Sequence, residues 1–241
     1  MSGNRRGFGA SEEYLNQMAE YSPVDALFAL LLWCVCVILY FFMGSLFNRL
    51  GTELTQTKIF WITGFFSLIQ IGLVFLLCRI RRQPPRTFGF SRNRAVSALW
   101  SGGAIMALIV LIGAGIVILG KGKIQTDGAL LMQRGVYYLF FISLTEELIF
   151  RGYIGTRLSG LIHHPLLSNC LTGILFALLH IPFQMVIAQV GFFSYLAQNW
   201  GKLIPLIGFH FFFQWLYARN NSLIAPVLVH FAWDYIGWMM I

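Results

Sequence analysis

Seven stretches of this chain are apolar over a length that matches the thickness of a lipid bilayer. A helix of about 20 residues crosses roughly 30 Å of hydrocarbon. With 58% hydrophobic residues, 11% charged residues and a mean hydropathy of +0.72, the composition is far from that of a soluble domain. Inside lipid every backbone polar group must be satisfied, so these stretches are predicted to be helices. We therefore predict an all-α polytopic transmembrane bundle of about seven spans, within a range of about six to eight.

The predicted spans form one transmembrane domain, residues 24–241. They cover residues 24–47, 59–80, 95–120, 129–150 with an extension towards 158, 166–187, 203–218 and 222–241. Residues 184–201 carry four amide side chains, so we predict a surface or re-entrant segment there, with a short eighth span as the alternative. In the third span, small residues such as Gly102, Gly103 and Gly113 predict close helix packing.

Residues 1–23 are predicted to form a cytoplasmic or interfacial segment. They lack the apolar run of a cleavable signal, so we expect the first span to be retained. Ser11 can cap a short helix. Such a helix would place Tyr14, Leu15, Met18 and Tyr21 on one face, which suits the membrane surface. An unstructured tail is the alternative.

Basic residues gather in the connection between the second and third spans, at Arg79, Arg81, Arg82, Arg86, Arg92 and Arg94. Short loops rich in Lys and Arg lie on the cytoplasmic side. We therefore predict a multi-pass protein of the cell membrane with a cytoplasmic amino terminus, also carrying Arg5 and Arg6, and with Lys121 and Lys123 outside as a mild exception. The net charge of +8 then reflects topology and contact with anionic lipids. The basic loop lacks interleaved aromatic residues, so we expect lipids and not nucleic acid as partners.

Three motifs place ionisable residues inside the apolar stretches: Glu146-Glu147-x-x-x-Arg151, Phe176-x-x-x-His180 and His230-x-x-x-Asp234. An ionisable group near the bilayer centre costs about 2.5 to 3.5 kcal/mol, so it persists where it pairs, faces a cavity or takes part in chemistry. Each motif lies near the middle of its predicted span. We therefore predict that these motifs, which lie within residues 135–235, share one site in a polar cavity inside the membrane.

The two adjacent glutamates are predicted to have different roles. On a helix their side chains diverge by about 100°. Arg151 lies four residues after Glu147, a spacing that brings the two together on one face. Glu146 is then free to face the cavity as a general base. In the alternative, both glutamates bind Arg151 and Arg157 and have only a structural role.

The histidines divide into candidates for chemistry and structural residues. His180 shares a helix face with Phe176, and His230 shares one with Asp234. A carboxylate fixes the tautomer and orientation of an imidazole, so Asp234 is predicted to orient His230 or to contact the substrate. His210, which has no acidic neighbour at helical spacing, is predicted to be structural. His163 and His164 are predicted to be solvated in a loop.

A carboxylate and two imidazoles around a buried water can hydrolyse a bond in two ways. Glu146 can act as a general base, with His230 and Asp234 stabilising the developing oxyanion. Alternatively Glu146, His180 and His230 can bind a divalent metal such as zinc, which activates the water. We favour the metal-free route, because the chain lacks the His-Glu-x-x-His motif of a helical zinc site. Its best pair of possible metal ligands at i, i+4 on one helix is His230 with Asp234, and none of the other candidate ligands forms such a pair.

In order along the chain, the three motifs, the last preceded by Asn221-Ser222-Leu223-Ile224-Ala225-Pro226, resemble the CPBP family of intramembrane proteases. That family groups CAAX-prenyl endopeptidases with bacteriocin-processing and abortive-infection proteins. The resemblance implies a helical bundle that cleaves peptide bonds in or near the bilayer. It assigns Glu146 as the water-activating base, His180 as its partner, His230 as the oxyanion contact, and Glu147 with Arg151 as support. The family often has Asn where this chain has Asp234, which removes an amide donor.

We therefore predict an intramembrane endopeptidase that acts on a membrane-associated peptide or protein. The substrate candidates are a prenylated protein tail, a pheromone or bacteriocin precursor, and another membrane peptide. A non-proteolytic scaffold or regulator of the same fold is one alternative. A proton-coupled transporter is another, although such proteins typically show repeated halves, which this sequence lacks.

Overall fold

The computed structural model describes residues 9–90, 94–120 and 122–240, and these are almost entirely helical. The helices are α1 Glu12–Ala19, α2 Pro23–Leu50, α3 Gln56–Ile80, α4 Ala95–Ile118, α5 Gly128–Val136, α6 Thr145–Glu147, α7 Thr156–Ile162, α8 Pro165–Ile187, α9 Phe192–Asn220 and α10 Ile224–Met239. Two π-helical segments, Tyr137–Leu144 and Leu148–Gly155, join α5, α6 and α7 into one run. Short 3₁₀ turns at Gly51–Glu53 and Pro85–Phe88 follow α2 and α3.

The predicted all-α membrane bundle is confirmed. In the described ranges, four helical stretches are long and apolar enough to cross a membrane: Pro23–Glu53, Gln56–Ile80, Ala95–Ile118 and Pro165–Ile187. The other three predicted spans correspond to the run from α5 to α7, to α9 and to α10. Successive long helices alternate in direction, so the basic loop, the start of α8 and the start of α10 lie at the same end of the bundle.

Residues 184–201 are mostly helical, and their predicted placement as a surface or re-entrant segment stays a prediction. Helix α8 continues to Ile187 and α9 already begins at Phe192, so only a short turn separates them. Polar side chains did not break the helix, because they find partners along it: the Asn199 amide donates to the carbonyl of Tyr195 at 3.0 Å. In the turn itself, Gln189 adopts a left-handed backbone conformation (φ 54°) and donates to Asn48 at 3.1 Å.

The amino-terminal helix α1 packs into the bundle. Ser11 caps it by accepting a hydrogen bond from the backbone N–H of Tyr14 at 3.3 Å, as its sequence predicts. The face that the sequence assigns to the membrane surface contacts protein instead, since Tyr14 and Met18 are buried in the main core. The Gln214 amide of α9 donates to the Tyr14 hydroxyl at 3.0 Å. Helix α1 therefore packs against one end of the transmembrane domain.

The basic loop is fastened to the bundle by two arginines. Arg81 Nε lies 2.8 Å from Asp25 Oδ1 at the start of α2. Arg157, fully buried, donates to the carbonyls of Gly152 at 2.7 Å and Thr87 at 3.2 Å. The described hydrogen-bond partners of Arg157 are all neutral. The structure therefore contradicts the alternative in which Arg157 binds the two glutamates. The predicted basic residues Arg5, Arg6, Arg92 and Lys121 lie outside the described residues.

Two glycines of α4 allow α10 to approach closely, as the small residues of that span predict. A Cβ atom on Gly102 would come 2.7 Å from Ala225 Cα, and one on Gly113 would come 2.7 Å from Ile236 Cγ2. By contrast, a Cβ on Gly103 would meet nothing within 4 Å. The close contact is therefore confined to one face of α4.

The adjacent glycines give a matched test of this packing. We expect Gly102→Ala to lower the free energy of unfolding by about 1–3 kcal/mol, because the added methyl group overlaps the α10 backbone. Gly103→Ala should leave stability unchanged or raise it by up to about 1 kcal/mol, since Ala is the better helix former. Thermal unfolding in one detergent measures both. Equal melting temperatures for the two variants would contradict this packing.

Candidate active site

Glu146 and Glu147 lie in the three-residue helix α6, between the two π-helical segments. The wider winding is visible in the side-chain bonding, since the Thr145 hydroxyl donates to the carbonyl of Phe140, five residues earlier, at 3.0 Å. π-Helical turns are rare, and they occur frequently at functional sites. Here they lie on both sides of the two adjacent glutamates, which are ionisable residues within an apolar stretch.

His230 of α10 is the point at which the motifs meet. Its Nδ1 lies 2.8 Å from Glu147 Oε1, and its Nε2 lies 3.9 Å from Glu146 Oε2 and 3.3 Å from Asp234 Oδ2. Glu146 and His230 are each 7% exposed. Three carboxylates from two helical runs therefore surround one buried imidazole, which brings the first and third motifs together.

Glu147 has two partners on the same oxygen. Arg151 Nη1 lies 3.1 Å from Glu147 Oε1, and both side chains are fully buried. This is the ion pair that the i, i+4 spacing predicts. The second partner is His230, whose Nδ1 donates to the same oxygen. Glu147 therefore contacts the imidazole on its Nδ1 side, and Asp234 contacts it on the Nε2 side, where Glu146 also lies. Whether Asp234 orients His230 or contacts the substrate stays a prediction.

Two phenylalanine rings enclose the Arg151 guanidinium. It lies 4.7 Å from the ring centre of Phe176 on α8 and 5.2 Å from that of Phe213 on α9. The Phe213 ring also stacks on the His230 imidazole, with 5.0 Å between centres and 19° between planes. Cation–π contacts of this kind stabilise a desolvated cation. Phe213 was not predicted, because it belongs to an aromatic run with no distinguishing spacing.

His180 lies on α8 in contact with Phe176. Its Nδ1 is 2.9 Å from the carbonyl oxygen of Phe176, and the two rings are 5.0 Å apart. A carbonyl oxygen only accepts hydrogen bonds, so His180 Nδ1 carries the proton. In a neutral imidazole, Nε2 is then unprotonated and can accept a hydrogen bond. The pairing of His180 with Glu146 stays a prediction. Half-buried, His180 is more accessible than Phe176 beside it.

The remaining histidines lie apart from this cluster. His210 is fully buried, with its ring 5.9 Å from that of Phe176. His163 and His164 are exposed between α7 and α8, where His164 Nδ1 accepts from the backbone N–H of Leu167 at 3.2 Å. A contact that the sequence did not predict comes from α2, where the Tyr40 hydroxyl lies 3.4 Å from Glu146 Oε1.

Residues 128–236 match the family model described as type II CAAX prenyl endopeptidase, Rce1-like. Over these residues the chain is similar to that family. The Rce1-like segment begins with α5 and ends within α10, so it contains all three motifs, and the resemblance predicted for residues 135–235 is confirmed. Neither a curated protein nor a solved structure matches the chain. The Rce1-like family is a family of membrane proteases, so this similarity implies intramembrane protease activity in general.

The metal-ligand set predicted for this Rce1-like segment is not assembled. Across residues 9–90, 94–120 and 122–240, no three His, Cys, Asp or Glu side chains are grouped so that they could hold a metal ion. The contacts of His180 are with Phe176, whereas Glu146 and His230 lie together. The observed arrangement therefore does not fit a zinc ion held by Glu146, His180 and His230.

The buried ion pair makes Arg151 a test of the cluster. Arg151→Ala should destabilise the protein by about 3–5 kcal/mol, because it leaves the Glu147 carboxylate buried without its cation. Arg151→Lys keeps the charge and should cost less, although it loses the planar contact with the two rings. Thermal unfolding in detergent measures both. The control is Arg79→Ala at an exposed position, and a melting temperature for Arg151→Ala equal to that of the control would show that the pair does not stabilise the fold.

Proposed function

We propose that this protein is an intramembrane endopeptidase that hydrolyses a peptide bond in a membrane-associated peptide or protein. The observation that carries the proposal is the buried Glu146 beside His230, within a segment of a protease family. A carboxylate and an imidazole in a protected cavity can activate water at a depth where bulk water is excluded. Glu146, His180, His230 and Asp234 are the proposed catalytic residues, with Glu147, Arg151 and Phe176 in support.

The gap between Glu146 and His230 supports a role for water. Glu146 Oε2 and His230 Nε2 are 3.9 Å apart, which is too long for a direct hydrogen bond and suited to a water that contacts both. In the proposed reaction, the water oxygen attacks the carbonyl carbon while Glu146 takes its proton. The carbonyl electron pair moves onto the oxygen. Glu146 then gives the proton to the leaving nitrogen as the C–N bond breaks.

Glu147 and Arg151 support this reaction through His230. Because Nδ1 donates to Glu147, the imidazole ring is held with Nε2 towards Glu146. When both ring nitrogens carry a proton, Nε2 donates to the developing oxyanion. Arg151 balances the charge of Glu147, so that the orienting carboxylate can remain ionised in an apolar environment.

An apolar groove between α2 and α8 supports a substrate with a hydrocarbon part. Its volume is about 470 Å³, and its lining includes Trp33, Val37, Phe41, Leu178, Pro182 and Met185. We propose that a prenylated protein tail, as the family's description states, is the first substrate to test, with an unprenylated membrane peptide as the comparison.

We also propose that the end of the bundle with the basic loop faces the cytoplasm in a cell membrane. The loop arginines Arg79, Arg82 and Arg86 support this orientation through the positive-inside rule. The amino terminus would then be cytoplasmic, and anionic lipids would contact this end. Labelling of single cysteines at either end, in sealed vesicles, tests the orientation.

Substitution of the proposed base tests the function directly. Purified wild type in liposomes should cleave a fluorogenic prenylated peptide, and Glu146→Gln should lower kcat by about 10²–10⁴-fold, since an amide cannot take the proton. His230→Ala and His180→Ala should also lose activity while inserting normally into the membrane. Glu53→Gln, at an exposed site far from the cluster, is the control. Turnover by Glu146→Gln at the wild-type rate would remove Glu146 from the mechanism, and absence of cleavage by wild type would favour a scaffold.

Dependence on metal is a separate prediction. A water activated by Glu146 alone should leave the cleavage rate unchanged after treatment with a strong chelator and dialysis, and added zinc should not raise it. Elemental analysis of the freshly purified protein measures occupancy at the same time. Stoichiometric zinc, together with activity that follows its removal and return, would replace the metal-free mechanism with the metal-dependent one.

A further inference from the structure

The hydroxyl of Tyr40 contacts the proposed base from outside the family segment. Tyr40 lies on α2, and its Oη is 3.4 Å from Glu146 Oε1. Its ring is partly buried and packs against the main hydrophobic core, which fixes the direction of the hydroxyl. The two oxygens of Glu146 therefore have different neighbours: Oε1 faces Tyr40 and Oε2 faces His230.

Hydrogen-bond donors are scarce around Glu146. Peptide hydrolysis develops negative charge on the carbonyl oxygen, and preorganised donors aimed at that oxygen supply a large part of catalysis. Glu147 and Asp234 are carboxylates, which only accept when they are ionised. Arg151 is a donor, but its guanidinium is fully buried between Phe176 and Phe213.

Among the described residues, two donors lie within hydrogen-bond or ion-pair distance of the Glu146 oxygens. One is His230 Nε2, which also lies 3.3 Å from Asp234 Oδ2. The other is the hydroxyl of Tyr40, which donates to Oε1. Both contacts are long, at 3.9 Å and 3.4 Å, and exceed the usual length of a direct hydrogen bond. They are therefore weak contacts, which a water and a carbonyl group can displace when the substrate binds.

We propose that Tyr40 is a catalytic residue whose hydroxyl donates a hydrogen bond to the oxyanion of the tetrahedral intermediate. This inference rests on the proposed function. A water held at Glu146 Oε2 attacks the carbonyl carbon, and the carbonyl oxygen turns towards Tyr40. As the new C–O bond forms, the π electron pair moves onto that oxygen, which accepts from the Tyr40 O–H. The tyrosine keeps its proton throughout, and the bond to it weakens again when the C–N bond breaks and the carbonyl re-forms.

The inference assigns a specific consequence to Asp234. An ionised carboxylate at this place cannot donate, so the site depends on Tyr40 for its second donor. An Asn amide at position 234 would provide N–H donors beside Nε2 of His230, where Asp234 lies in this chain. Tyr40 and an Asn at position 234 should therefore partly replace each other, whereas two independent residues would contribute additively.

The first experiment compares Tyr40→Phe with wild type in liposomes, with the full-length chain and the fluorogenic prenylated peptide. We expect kcat to fall by about 10²–10³-fold, as for loss of one oxyanion donor, with KM changed by less than about threefold. A peptide aldehyde, which is hydrated to a tetrahedral form, should bind about 10²-fold more weakly to Tyr40→Phe. A non-cleavable ground-state peptide should bind equally to both.

Tyr195→Phe is the matched control. It removes the same hydroxyl from a partly exposed tyrosine of α9, 18 residues before Phe213 and so roughly 27 Å away along the helix. This variant should keep the wild-type kcat. Thermal unfolding of both variants checks that neither substitution alters the fold.

The second experiment repeats Tyr40→Phe in an Asp234→Asn background. We expect the loss in kcat caused by Tyr40→Phe to shrink to about tenfold or less, because the amide supplies the missing donor. An equal loss in both backgrounds, an unchanged kcat in Tyr40→Phe, or a loss matched by weaker ground-state binding would each overturn the assignment. Cleavage by wild type with any of these results overturns only the role of Tyr40. Absence of cleavage by wild type overturns the proposed function as well.

Discussion

The carboxylate of Glu147 is the group on which the rest of the site depends. It is completely buried, so its charge requires partners, and it has two: Arg151 on its own helical run and His230 on α10. Arg151 in turn lies against rings from α8 and α9. One anion therefore joins four helical elements. Removal of Arg151 would take away the cation that balances this buried carboxylate, which explains why a position that does no chemistry should still be sensitive to substitution.

Two adjacent glutamates can contact one histidine because they approach different atoms of its ring. On a helix their side chains point about 100° apart. Glu147 accordingly binds Nδ1 and Glu146 faces Nε2, so both contacts meet at one imidazole. The first π-helical segment, which leads into α6, is in turn held by α3, since the Ser67 hydroxyl donates to the Phe141 carbonyl at 2.8 Å. The direction of both glutamates therefore depends on a neighbouring helix as well as on their own.

Contacts within a single helix could be predicted from the sequence, and contacts between helices could not. The spacing of Glu147 with Arg151, of Phe176 with His180 and of His230 with Asp234 each gave a pair that the structure contains. The bond between Glu147 and His230 joins residues 83 positions apart, and no periodicity encodes it. The contact of Glu147 with His230 was therefore missed, although Asp234 does contact the same imidazole as predicted. Composition likewise placed a span at residues 203–218, whereas α9 extends from Phe192 to Asn220, since hydropathy marks the apolar part of a helix and not its polar turns.

The first half of the chain, which lies outside the family segment, supports each of the elements that carry the motifs. Helix α2 supplies Tyr40 to Glu146, α3 supplies Ser67 to the first π-helical segment, and α4 approaches α10 through Gly102. These three contacts need only a hydroxyl or the absence of a side chain at one position of each helix. Each of these helices also has an exposed apolar surface, such as Leu27 of α2, Trp61 of α3 and Leu111 of α4, which suits contact with lipid. The family match begins only at α5, so the contacts that α2, α3 and α4 make with the site come from outside the matched segment.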